Sequence, residues 1–101
     1  MHHQTAKAAY RILTGAAELV DERGFTKAPA DNGKLTVLGA LARATHHKSP
    51  TAAVAAHEAL EKEVGGSLAN FEPRDKRVFV AKLNAAAKRL AKEQNINLEK
   101  V

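Results

Sequence analysis

The chain has 101 residues, a formal net charge of +5 and no cysteine. This length provides one domain, and the missing cysteines exclude disulfides, a thiolate nucleophile and a cysteine zinc site. No apolar run approaches the roughly 20 residues that span a bilayer. No signal peptide is recognisable, so a cytoplasmic protein without a membrane segment is predicted.

Alanine dominates the hydrophobic residues, with 21 copies, whereas the aromatic residues are one tyrosine and three phenylalanines. Alanine has the highest helix propensity but a small side chain, so helices rich in it are expected to pack closely. We predict an all-α fold, a small single-domain bundle of about four helices over residues 1–101. Residues 94–101 are expected to be a frayed tail or a short cover made by Ile96 and Leu98.

The first helix is predicted over residues 4–23. Thr5 is its expected N-cap, and Gly24 is expected to end it. Gly15 lies inside the helix, where glycine costs about 1 kcal/mol relative to alanine, which predicts a close contact with another helix at that point. The apolar positions recur at the spacing of one helix face. They are Ala9, Ile12, Leu13, Ala16, Leu19 and Val20.

Residues 25–35 are predicted to form a loop. Pro29 and a turn at Asp31, Asn32 and Gly33 interrupt regular structure, while Phe25 is expected to fold back over the core. The Asn-Gly pair also suits a two-residue β-hairpin. Because its flanks do not alternate between apolar and polar residues, the loop is preferred.

Two further helices are predicted over residues 36–45 and 50–64. In the first, Gly39 is expected to allow close packing. In the second, Ser49 is the N-cap, a proline occupies the first position and Gly65-Gly66 ends the helix. The apolar residues of the first are Val37, Leu38, Leu41 and Ala42. The bulky residues of the second are Val54, Leu60 and Val64.

These two helices raise the question of a DNA-binding helix-turn-helix. That motif requires a tight turn of three or four residues, often with glycine, whereas the break here is Thr-His-His-Lys-Ser. The helix that would read bases presents alanine and glutamate where arginine, lysine, asparagine or glutamine contact base edges. Two core helices joined by a loop are therefore predicted.

The last helix is predicted over residues 73–94, and the end of the chain that contains it carries the net charge of the protein. Its apolar stripe is Phe79, Leu83, Ala86 or Ala87, and Leu90. Residues 1–73 contain eight basic and eight acidic residues, whereas 74–101 contain eight basic and three acidic ones. An anionic partner should therefore contact this helix, although a solvated helix face is the alternative. Aromatic residues between the cations, typical of single-strand binding, are missing. The candidate contacts are Lys76, Arg77, Lys82, Lys88, Arg89 and Lys92.

Three histidines, His46, His47 and His57, are the candidates for a metal site. They form no His-x-x-x-His pair, and no cysteine or acidic partner lies at ligand spacing, so neither a metal nor another cofactor is predicted.

Catalytic motifs are missing as well. The sequence has no glycine-rich phosphate loop and no nucleophile elbow. The acidic pairs Asp21-Glu22 and Glu61 with Glu63 are expected at exposed helix ends and not in a pocket that separates their pKa values. We predict that the protein is not an enzyme.

Four segments carry a family resemblance: AAELVDERGFTKAP, GKLTVLGALARAT, AHEAL and SLANFEPRDKRVFVAKLNAAAKRL. In this order they resemble short uncharacterised proteins of actinobacteria and their phages, which share a domain of unknown function. The matching positions are Glu22, Arg23, Gly24, Phe25, Gly39, Ala40, Leu41 and Phe71. Phenylalanine replaces both tryptophans of the family pattern, and Glu72-Pro73 replaces Asn-Asp. The resemblance, over about residues 8–90, implies an all-helical fold in a bacterial or phage-infected cytoplasm and supplies no activity.

The leading functional prediction is a small non-enzymatic interaction protein, a phage-encoded accessory protein that binds a host protein or a second copy of itself. Alanine-rich helix surfaces are the expected dimer interface. The alternative is a nucleic-acid-binding protein that uses the basic last helix, in which case charge reversal at Lys88 and Arg89 should weaken binding.

Overall fold

A computed structural model describes residues 2–26, 35–46 and 48–96. Within these ranges the chain forms four α-helices and one short 3-10 helix and has no β-strand, which confirms the all-α bundle. Phe25 and Leu35 form one isolated parallel bridge. The helices are α1 (His3–Arg23), α2 (Val37–Ala44), α3 (Pro50–Val64), the 3-10 helix (Leu68–Asn70) and α4 (Lys76–Glu93).

Helix α1 is the centre of the bundle, because it packs against α2, α3 and α4, most extensively against α4. The core is rich in alanine. The alanine-rich surfaces expected to form a dimer interface are thus largely used inside the molecule. The buried alanines are Ala6, Ala9, Ala16, Ala17, Ala40, Ala52, Ala55, Ala56, Ala59, Ala86, Ala87 and Ala91.

Helix α3 begins and ends where the sequence predicts. The Ser49 hydroxyl accepts a hydrogen bond from the Ala52 amide at 3.1 Å, and Gly65 adopts the left-handed conformation that ends the helix. The other N-termini differ from the prediction. Helix α1 is capped by His2, not Thr5, because the His2 ring nitrogen Nδ1 accepts from the Gln4 amide at 3.2 Å.

The predicted start of α4 at residue 73 was wrong. Pro73 is fully buried ahead of the helix, and the Asp75 carboxylate accepts from the Val78 amide at 3.1 Å, which starts the helix at Lys76. At the other end, Asn95 has a φ of 53°, and the Ile96 amide donates to the Ala91 carbonyl at 2.9 Å. This is a Schellman-type end.

Ile96 is buried beside this end, as the covering alternative for the tail predicts. Leu98 lies outside the described residues. So do Pro29 and the predicted turn at residues 31–33, where the choice between loop and hairpin stays a prediction.

Three phenylalanines connect the end of α1 to the start of α4. Phe79 is fully buried, and the rings of Phe25 and Phe71 meet it edge-on with centroid distances of 5.4 and 6.1 Å. Such pairs add about 0.5–1.5 kcal/mol beyond their buried area. The prediction that Phe25 folds back over the core is confirmed.

Three residues predicted for the apolar faces of their helices are on the surface: Leu38, Val54 and the smaller Ala42. Leu38 is 54% exposed and Val54 is 56% exposed. Helix α2 packs mainly on α1, so only one side of it is covered, and Leu38 lies on the open side. Helix α3 is covered by α1 and α4 through its alanine face, which leaves Val54 outside.

The two glycines inside helices differ in their surroundings. A Cβ added at Gly15 would meet no atom within 4 Å, so the predicted close helix contact at this position is wrong. A Cβ at Gly39 would lie 2.9 Å from the Thr36 hydroxyl, the group that caps α2 by accepting from the Gly39 amide. The small size of Gly39 therefore leaves room for the Thr36 cap and does not serve helix packing.

We expect Gly15→Ala to raise the free energy of unfolding by about 0.5–1 kcal/mol, because alanine is the better helix former and has room. Gly39→Ala should give no such gain, because displacing the Thr36 hydroxyl costs about 1 kcal/mol of capping energy. Urea unfolding followed by circular dichroism measures both variants. An equal gain for the two would contradict this account of Gly39.

Candidate anion-binding surfaces

Two of the six predicted cationic contacts of α4 form ion pairs with other helices of the bundle. The ammonium Nζ of Lys76 lies 3.6 Å from the Asp21 carboxylate and donates to the Asp21 carbonyl at 3.1 Å. The guanidinium of Arg89 lies 3.5 Å from the Glu63 carboxylate and donates to the Lys62 carbonyl at 3.4 Å. These contacts fix the start of α4 to α1 and its last turns to the end of α3.

The other four, Arg77, Lys82, Lys88 and Lys92, make no side-chain ion pair with a described residue. At about 100° per residue, Lys88 and Lys92 lie about 20° and 60° around the helix from Arg77, and Lys82 lies about 140° away. Arg77, Lys88 and Lys92 are exposed, whereas Lys82 is half-buried. The outer side of α4 therefore presents three cations along one stripe.

Helices α1 and α4 run antiparallel. The end of α1 meets the start of α4 at the Asp21–Lys76 pair, and Thr14 shares a surface groove with Asn84. Two turns before Thr14 and Glu18, on the same side of α1, come Lys7 and Arg11. Because α4 runs in the opposite direction, Lys88 and Lys92, which follow Asn84 by about one and two turns, lie at the same end of the helix pair as Lys7 and Arg11.

Arg11, Lys88 and Lys92 are exposed and Lys7 is half-buried. We call the surface formed by Lys7, Arg11, Lys88 and Lys92 the basic end. The stretch of α1 from residue 3 to 17 contains no acidic residue, and neither does α4 from 76 to 92. The acidic residues of α1, Glu18, Asp21 and Glu22, all lie in its last two turns, at the opposite end of this helix pair. These acids offset Arg23, Lys76 and Arg77 at that end, so most of the net positive charge of the helix pair lies at the basic end.

Lys7 and Arg11 were not among the predicted contacts, because the charges of residues 1–73 cancel as a sum. The spacing of charge within α1 was the available signal, since its bases come early and its acids late. Summing over the whole segment concealed that separation.

The α2–α3 segment does not have the arrangement of a helix-turn-helix. Both helices pack on other parts of the bundle and make few contacts with each other, whereas the two helices of that motif form one packed unit. The outer side of α3 also carries Glu58 and Glu61, which repel phosphate. The geometry agrees with the sequence prediction of two core helices.

A cleft between the ends of α1 and α2 was missed by the sequence analysis. It has a volume of about 450 Å³. The guanidinium groups of Arg23 and Arg43 have no ion pair among the described residues, and none of the described lining residues is acidic. We call this the arginine cleft. It is lined by Leu19, Arg23, Ala42, Arg43 and His46.

The histidines lie in different surroundings. His46 belongs to the arginine cleft, and His47 is outside the described residues. His57 lies 3.7 Å from the Glu61 carboxylate, one turn further along α3, so the prediction that no histidine has an acidic partner at ligand spacing was wrong. The described part of the chain contains no group of three or more histidine and acidic residues placed to hold a metal ion.

A smaller depression, of about 200 Å³, opens where α2 begins. The half-buried rings of Phe25 and Phe71 form part of its wall, with Val37 and the exposed Leu38 beside them. We call it the Leu38 depression. Ala69 and the polar residues Thr26, Thr36 and Glu72 complete its lining.

Comparisons of the chain with protein-family models, with curated proteins and with solved structures find no match. The resemblance to proteins of actinobacteria and their phages therefore stays a prediction. Across the described ranges, no helix combines the length and apolar character needed to cross a membrane.

We expect Arg89→Ala to lower the free energy of unfolding by about 0.5 kcal/mol, because it removes a partly exposed ion pair that joins α4 to α3. Lys92→Ala, in the same turn of α4 but without a partner among the described residues, is the matched control and should change stability by less. Urea unfolding at low and high salt measures the difference. A larger loss for Lys92→Ala would contradict the assignment of Arg89 as the tether.

Proposed function

We propose that this chain is a small non-enzymatic interaction protein that binds the phosphate backbone of nucleic acid through the basic end. The supporting observation is the set of four cations without ion pairs among the described residues, on helix stretches free of acid. Lysine and arginine that neutralise phosphates release condensed counterions, which gives affinity without base recognition.

Duplex nucleic acid is the expected form of the ligand. Single-strand binding relies on aromatic side chains that stack on bases. Tyr10 is the aromatic residue nearest in sequence to the basic end, and it is half-buried against the core. A basic surface without stacking platforms favours phosphate contacts along a duplex.

A non-enzymatic role is part of the proposal. Within the described ranges, no polar or charged side chain is buried. Catalytic acids and bases usually occupy clefts in which burial and neighbouring charges tune their pKa values. Of the acidic pairs, Asp21 and Glu22 are exposed as predicted, whereas Glu61 and Glu63 are half-buried. Glu61 accepts from the Leu68 amide, and Glu63 pairs with Arg89.

Fluorescence anisotropy with labelled double- and single-stranded oligonucleotides at several salt concentrations tests the proposal. We expect log K to fall with log salt with a slope of about −3 to −4 for four phosphate contacts. Lys88→Glu/Lys92→Glu should weaken binding by at least about tenfold and reduce the slope by about 2.

The matched control is Lys48→Glu/Arg74→Glu, which changes the net charge equally at two exposed cations away from the basic end. It should bind more tightly than Lys88→Glu/Lys92→Glu. Arg89 is left intact in this test, because its reversal would also break the tether to Glu63. Equal losses in the two double variants, or no binding at low salt, would refute the proposal.

A protein partner is the second candidate function, and the Leu38 depression favours it. An exposed leucine beside two half-buried phenylalanine rings suits an apolar side chain of a partner. The phage accessory role suggested by the sequence belongs to this candidate.

In this second case, immobilised protein should retain a defined host protein that Leu38→Gln no longer retains. Ala81→Gln, a change at an exposed position of α4, should still retain it. Retention that is insensitive to Leu38→Gln would eliminate the depression as the contact.

A further inference from the structure

We propose that two copies of this chain associate by placing the outer face of α3 of one copy against the arginine cleft of the other. The outer face of α3 is formed by Ala53, Val54, His57, Glu58 and Glu61. This association does not use the residues of the basic end.

The arginine cleft is suited to an acidic, partly apolar surface. Arg23 and Arg43 flank Leu19 and Ala42, so cationic groups border an apolar floor. Both guanidinium groups lack an ion pair among the described residues. A guanidinium binds a carboxylate through two parallel hydrogen bonds, which adds orientation to charge attraction.

The outer face of α3 offers the complementary groups. Val54, at 56% exposure, is the most exposed large aliphatic side chain among the described residues. Glu58 is exposed, and no described residue forms an ion pair with it. Glu61 is held in place by His57 at 3.7 Å and by the Leu68 amide, which donates to its carboxylate at 3.2 Å.

The two surfaces therefore match in charge and in apolar content. One carries two guanidinium groups beside a leucine, and the other carries a valine followed along α3 by two carboxylates, one turn and two turns away. Association would bury the exposed valine and give carboxylate partners to the two arginines that have no ion pair among the described residues of the monomer. A second copy of the chain supplies this match without any other protein.

Contact between two different surfaces has a consequence for assembly. If a twofold axis relates the copies, both contacts form at once and a closed dimer results. If it does not, the same contact repeats into longer chains. In either case the mass in solution rises with protein concentration.

Sedimentation velocity over a concentration series at low salt measures this association. We expect the wild-type protein to self-associate, and Arg23→Glu/Arg43→Glu to weaken association by at least about tenfold, the equivalent of 1.4 kcal/mol. Glu58→Arg should weaken it as well, and Val54→Ser should do so without a change of charge. Circular dichroism verifies that each variant is folded.

Mixing the two charge variants provides the sharper test. The Glu58→Arg variant keeps the wild-type cleft, which can bind the unchanged α3 face of the Arg23→Glu/Arg43→Glu variant. In a closed dimer there is a second contact, in which the arginine introduced on α3 of the first variant meets the glutamates introduced in the cleft of the second. The mixture should therefore associate more strongly than either variant alone. Lys88→Glu/Lys92→Glu is the control and should associate like the wild-type protein.

A monomer at all concentrations up to the millimolar range would overturn the proposal. So would charge variants that associate as well as the wild-type protein, or a mixture that behaves like its separate components. Weakening by Lys88→Glu/Lys92→Glu equal to that by Arg23→Glu/Arg43→Glu would show that net charge, and not the arginine cleft, governs association.

Discussion

The fold depends on the close contact between α1 and its three neighbours through small side chains. Alanines occupy much of the buried surface on α1, α3 and α4, while the bulky groups that fill the remaining space are few: Phe79, Ile12, Leu13, Leu60, Leu83 and Val20 are the large, fully buried ones apart from Pro73. Because an alanine removes little apolar area from water, helices must approach closely to gain from contact. Once α1 is surrounded in this way, almost every charged group must lie on the outer sides of the helices.

Periodicity in the sequence was sufficient to predict four helices and the inward face of α1 and α4. Capping chemistry gave both ends of α3, because Ser49, Pro50 and Gly65 each have a local preference that needs no tertiary contact. The His2 cap of α1 is also local and was not predicted, whereas the start of α4 depends on packing. Pro73 was predicted to begin α4, but it is buried, and Asp75 provides the cap.

The exposed positions of Val54 and Leu38 have a related cause. Hydrophobic spacing indicates which residues share a helix face but not whether a second element covers that face. In a chain with many alanines the ambiguity increases, because alanine is compatible with both core and surface. For α3, the alanine face is the buried one, and the bulkier valine lies outside. Only the packing of α1 and α4 on α3 establishes this.

The candidate surfaces were predicted in part for the same reason. The sequence identified α4 as the basic helix. In the structure, however, Lys76 and Arg89 form ion pairs with Asp21 and Glu63, which makes them less available to a partner. The antiparallel packing of α1 then adds Lys7 and Arg11, whose charges cancel in a sum over the segment but not in space. The same packing separates the basic end from the acids of α1 and leaves the outer face of α3 negatively charged.

If copies associate through α3 and the arginine cleft, one particle carries two basic ends. The second then binds at the effective concentration set by the first, so that modest phosphate contacts yield tighter binding to a long duplex than to a short one.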